Sequence, residues 1–163
     1  MAQSINFDSG VKEYQVNGGE VLRMNPSDPN LYARFFDAQK KLLAIEEELV
    51  EQGKAIPAVS EKATKQELAK AGEMTVRLLT EADQRAKEVL AEVFPGNDFD
   101  RILAGVNVMA VGDNGERVIT NFVNALIPII EDGVNACTKE KTNAAVKAAQ
   151  GNRAQRRAAA ENR

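Results

Sequence analysis

The chain has 163 residues, of which 28% are charged, 44% apolar and only 5% aromatic, with a net charge of −3. That is the length of one domain, or of one domain with a tail, and its core must be aliphatic. It has no histidine and one cysteine, Cys137, which excludes His-based triads, His-ligated metals, zinc-binding Cys clusters and an internal disulfide.

Ile5 and Phe7 alternate with polar residues and read as a first strand. Val11–Val16 and Glu20–Met24 then read as two strands joined at Asn17-Gly18-Gly19. Asn-Gly supplies the positive φ angles that a tight hairpin turn needs. Tyr14 and Val16 fall on one face of the first strand, Leu22 and Met24 on one face of the second. A lone hairpin is marginal in water, so it must pack on helices or meet another subunit.

Asn25-Pro26-Ser27-Asp28-Pro29 marks a change of period, with Asp28 placed to cap a helix and Pro29 at its first position. Leu31, Phe35, Ala38, Leu42, Ile45 and Leu49 follow at steps of three and four, which predicts a helix to about Gln52. A second helix is expected from an N-cap at Ser60, with the stripe Leu68, Ala71, Thr75, Leu78, Ala82, Ala86, Val89 and Val93. Gly72 weakens its middle by about 1 kcal/mol relative to Ala. Pro95-Gly96-Asn97-Asp98 ends it, and the two stripes suit an antiparallel pair.

Asp98 is placed to cap a short helix holding Phe99, Ile102, Leu103 and Val106. A hairpin of Val106–Val111 with Glu116–Thr120 competes with a loop followed by a helix. The loop is preferred, because Ile119, Phe122, Val123, Leu126, Ile127, Ile130 and Val134 keep helical spacing. Pro128 inside that pattern should kink the helix or break it in two. Thr138–Gln150 is Ala-rich with Val146 as its one large apolar residue, which predicts an exposed helix capped at Gly151-Asn152.

Charge divides the chain. Thr138–Arg163 holds seven basic and two acidic residues, a net of +5, which leaves −8 on Met1–Cys137. The organisation expected is therefore a hairpin-plus-helix domain over 1–137 and an exposed helix with a basic tail over 138–163. An acidic body repels nucleic acid, and one copy's tail can meet another copy's body.

The acidic clusters, Glu46, Glu47, Glu48 and Glu51 among them, read as solvated helix faces. Asp113-Asn114-Gly115-Glu116 lacks the ligand series of a calcium loop. Cys137 has no His to activate it and reads as a small buried residue. No phosphate-binding Gly loop is present. Arg153, Arg156 and Arg157 share a helical face and can neutralise phosphates, but no aromatic is interleaved for base stacking. No catalytic, cofactor or metal residue is assigned, and an enzyme is not expected. The longest apolar run, Ala125–Ile130, contains Pro128, and the chain does not open on a basic-then-apolar pattern. No secretory signal or membrane span is expected, and the expected compartment is the cytoplasm.

Three segments carry a resemblance. Ser4-Ile5-Asn6-Phe7-Asp8-Ser9-Gly10-Val11-Lys12 resembles the opening of small tail-region proteins of Gram-positive siphophages and prophages. Asn121-Phe122-Val123-Asn124-Ala125-Leu126-Ile127-Pro128-Ile129-Ile130 resembles their helical core segment, preceded as in them by the apolar Ile102–Val111 and an Asn-Gly turn. Asn152-Arg153-Ala154-Gln155-Arg156-Arg157 resembles their basic ending. Such proteins are similar to phage tail assembly chaperones. The resemblance implies a non-enzymatic protein that binds the long, helical, apolar tape measure protein, with the major tail protein as a second partner, and keeps it soluble in the host cytoplasm. It carries no residue-level binding motif. On physical grounds the expected contacts are Leu126, Ile127 and Ile130, with Arg153, Arg156 and Arg157 in the tail.

The expected fold is α+β and mostly α: an N-terminal β-hairpin, a bundle of four to five helices and a basic C-terminal tail. A homo-oligomer is expected. One alternative is a virion subunit of the tail or neck, assembling through strand and helix contacts. Another is a nucleic-acid-binding regulator using the Arg tail.

Overall fold

The computed structural model describes residues 2–161, with side-chain surroundings given for residues 2–150. Asn17 and Gly18 take positive φ values of 49° and 73°, as a right-twisted hairpin demands. They connect strand β1 (Lys12–Gln15) to β2 (Val21–Met24), with Tyr14 opposite Leu22 and Gln15 opposite Val21. The Val16 N–H donates to the Glu20 carbonyl at 3.0 Å, so the connection holds three residues. Leu22 and Met24 are buried on the inner face.

The strand expected at Ile5–Phe7 does not form; both side chains stand in solvent, 85% and 80% exposed. Alternation alone found no partner. Gly10, at φ 68°, turns the chain, and Asn25 Nδ2 ties the Ser9 carbonyl at 2.9 Å.

Helix α1 (Pro29–Gly53) starts as the sequence predicts, with Asp28 accepting from the Asn30 N–H at 2.9 Å. It buries Leu31, Phe35, Ala38, Ile45 and Leu49. Helix α2 (Lys65–Val93) begins five residues after the expected Ser60 cap. Thr64 caps it instead, because Glu67 lies three residues on and returns the bond: its carboxylate accepts from the Thr64 N–H at 2.8 Å. Ser60 has Ala63 at that place. Only Ala71 and the C-terminal half of the predicted α2 stripe are buried, and Leu68 is exposed. The pair α1–α2 is antiparallel: Arg34 reaches the Val93 carbonyl, Lys41 pairs with Glu92 and Glu48 with Arg85.

Helix α3 (Phe99–Ile102) is a single turn capped by Asp98. The segment after it is a loop closed by one bridge, Val111 to Arg117, so the competing hairpin does not form. Helix α4 (Val118–Glu161) follows. Pro128 does not break it in two, and Gly151-Asn152 does not cap it. Pro128 is exposed, as is Asn124, whose carbonyl loses the missing N–H, so water can satisfy that carbonyl. The architecture is thus a hairpin and four helices among the described residues.

The core joins the hairpin, α1, the second half of α2, α3 and the first half of α4. Up to Gln150, the last fully buried residue along α4 is Gly133; Cys137 is half-buried and every residue from Thr138 to Gln150 is exposed. The helix crosses the expected 137/138 division without interruption.

Candidate interaction surface

Three polar anchors fix the ground on which α4 sits. Asn97, in the turn after α2, acts as a strand would: Oδ1 accepts from the Arg23 N–H at 2.8 Å and Nδ2 donates to the Arg23 carbonyl at 2.9 Å. This closes the outer edge of β2. Asp83 is a carboxylate buried on α2; Oδ1 accepts from the Val108 N–H at 2.7 Å, and Oδ2 pairs with Lys87 at 2.9 Å. Lys87 also binds Asp100 at 2.7 Å. Arg117 donates to the Met109 carbonyl at 2.7 Å and to Glu46 of α1 at 3.1 Å. The 107–110 loop is thereby tied to α1 and α2, and its carbonyls start α4: Val118 and Ile119 N–H donate to Ala110 and Val108.

Two clefts flank the first turns of α4. One, of about 360 Å³, lies between the hairpin and α4, lined by Tyr14, Val16, Leu22, Leu103, Phe122, Ala125, Leu126 and Ile129 and rimmed by Gln15, Asn17 and Asn121. Burial in this wall raises the Tyr14 hydroxyl above its ordinary pKa of 10.0. The other, of about 310 Å³, lies between α1 and α4, with Leu42, Leu43, Met109, Ile119 and Val123 inside and Gln39, Glu46, Thr120 and Asn124 at its rim. Both have an apolar floor with a polar border.

The expected contact residues divide. Leu126 and Ile130 are 4% and 6% exposed and belong to the core, and Ile127 packs partly buried against it. Their helical spacing is spent on seating α4, and Leu126 meets the surface only as floor of the hairpin-side cleft. Arg153, Arg156 and Arg157 lie outside the residues whose side chains are described.

The Asp83–Lys87–Asp100 cluster holds its lysine charged. Burial pulls Lys87 down, but its hydrogen bonds to Asp100 and Asp83 outweigh that and hold it above its ordinary 10.5. A lysine held charged is neither nucleophile nor base at neutral pH. No group of three or more metal-binding His, Cys, Asp or Glu side chains occurs among the described residues, and no helix among them is long and apolar enough to cross a membrane. Sequence reading missed Asp83, Asn97 and Arg117. The signal for Asp83 was available, since a carboxylate one position from Ala82 with Lys87 one turn on stands inside the apolar stripe.

No protein-family model, curated protein or solved structure matches this chain.

Proposed function

We propose that this protein is a non-enzymatic tail assembly chaperone of a siphophage or prophage, which binds the tape measure protein in the host cytoplasm and keeps it soluble during tail assembly. The observation that carries the reading is the apolar cleft between the hairpin and α4. Its floor of Phe122, Leu126 and Ile129 accepts aliphatic side chains, and its amide rim satisfies the backbone ends of an incoming segment. The sequence resemblance supplies the partner class, a long apolar helical chain. Ala125 is exposed on the cleft wall, so Ala125→Arg fills the cleft without touching the core.

Co-expression with the tape measure protein tests this. The native chain is expected to hold it in the soluble fraction, and Ala125→Arg to lose that with an unchanged melting temperature. Equal solubilisation by both, or none by the native chain, overturns the reading.

A second reading has its own observation. The outer edge of β1 is unpaired among the described residues, and Ile5 and Phe7 stand exposed just before it. A virion subunit adding strands between neighbours would use both features. Purified particles discriminate: a chaperone is absent from them, and a subunit is present in many copies.

A further inference from the structure

Helix α1 carries two apolar stripes, and the core uses only one. On its outer side Phe36, Leu43 and Val50 stand 61%, 57% and 56% exposed, each seven residues from the next. Seven residues return a helix to within about 20° of the same direction, so the three form one seam about 21 Å long at 1.5 Å per residue. One apolar residue per heptad makes a narrow seam along which a second helix can lie.

The charges beside the seam name that partner. Lys40 and Glu47 lie on one flank of Leu43, three residues before it and four after; Gln39 and Glu46 lie on the other flank at the mirrored offsets, along the rim of the α1–α4 cleft, where Glu46 already pairs with Arg117. Glu47 has no ion pair among the described residues, and Lys40 reaches only Asp37, at 3.8 Å. If two copies of α1 lie antiparallel with Leu43 at the two-fold axis, Phe36 of each meets Val50 of the other. Each Lys40 then comes level with the other copy's Glu47, and each Gln39 with its Glu46. No like charges face each other. A parallel pair would instead set Glu47 of each copy against Glu46 of the other.

We propose that this face of α1 is an isologous, antiparallel interface between two copies of this chain. The proposal does not rest on the chaperone reading, whose cleft lies on the hairpin side of α4. The seam is short, at the small end of specific interfaces, below about 1,200 Å² in total, so the dimer is a reversible one.

Sedimentation equilibrium of the full chain over a wide concentration range tests it, with circular dichroism checking the fold of each variant. The native chain is expected to dimerise reversibly, and Leu43→Glu to be monomeric. Lys40→Glu and Glu47→Lys should each weaken self-association about tenfold, because each sets like charges together twice. An equimolar mixture of those two variants should recover a heterodimer of native affinity, since each copy then brings one sign. Should Leu43→Glu fail to fold, the two charge variants carry the test alone. A native chain that is monomeric at every concentration reached, a dimer indifferent to Leu43→Glu, or a mixture no tighter than its components overturns the proposal.

Discussion

Two glycines in helix interiors should respond to alanine with opposite signs. Gly72 sits exposed in α2, and a Cβ there would have nothing within 4 Å. Gly72→Ala therefore shows the intrinsic helix preference alone, a gain of about 1 kcal/mol. Gly133 is the last buried residue of α4 up to Gln150, and a Cβ there would fall on the Pro26 carbonyl. That carbonyl cannot swing aside freely, because it also accepts from the Tyr32 hydroxyl at 2.7 Å. Overpacking against a fixed neighbour costs about 1–3 kcal/mol, and displacing the Tyr32 bond adds about 1 kcal/mol. Against the same intrinsic gain, Gly133→Ala should still lose about 1–3 kcal/mol.

Urea unfolding followed by circular dichroism measures both, reading the midpoint at constant slope. The Gly72→Ala midpoint should rise and the Gly133→Ala midpoint fall. Tyr32→Phe should lessen the further loss on Gly133→Ala, since it frees the carbonyl to move. Equal gains at the two glycines would mean that α4 does not rest on the Pro26 turn, and the reasoning would fail.

Asp83→Ala should cost about 2–4 kcal/mol, because it leaves the fully buried Val108 N–H without an acceptor and strips Lys87 of one partner. Asp83→Asn keeps an oxygen for Val108 and should lose clearly less in the same melts. Thr64→Ala removes half of the α2 capping box and should cost about 1 kcal/mol. Stability should also fall at alkaline pH. Burial raises Tyr14 and Tyr32, and the carboxylate partners raise Lys87 against its burial. Groups raised on folding stabilise fully below their ordinary values of 10.0 and 10.5 and lose that contribution as pH climbs through the higher folded values. Urea midpoints level up to about pH 10 and declining beyond it are expected; a midpoint that rises there would contradict the assignment.

Local signals were legible where chemistry alone sets the conformation. Asn17-Gly18 fixed a turn, Asp28-Pro29 and Asp98 fixed helix starts, and the Leu31–Leu49 stripe marked the buried face of α1. The errors share one cause, which is that the deciding partner lies elsewhere in the chain. Ile5 and Phe7 alternate like a strand, but strand formation needs a neighbour, and Asn25 ties the Ser9 carbonyl in the turn that follows them. Ser60 is a good cap residue in isolation; the reciprocal Glu67 decided for Thr64. Leu126 and Ile130 had the spacing of a binding face and of a core face alike, and only the seat built from Met109, α1 and the hairpin distinguishes them. The exposed seam of α1 was hidden for the converse reason. Phe36, Leu43 and Val50 are ordinary among many apolar residues until the structure shows them exposed while the other stripe of the same helix is buried.

Helix α4 brings these threads to one point. Its first half is apolar at helical spacing and ends where Gly133 lets the backbone close on Pro26. Its second half has Val146 as its sole large apolar residue up to Gln150, so packing cannot hold it helical. Alanine propensity can, because the costly first turns are already formed by the seated half and each added residue needs only propagation. A seated nucleus carrying an unpacked extension thus projects Lys139, Lys141 and Lys147 from an acidic body while spending no core on them. The charge division of the sequence thereby becomes a spatial one. The contacts proposed for the hairpin-side cleft and for the α1 seam need not involve the basic extension, which lies beyond the last buried turn of α4 up to Gln150.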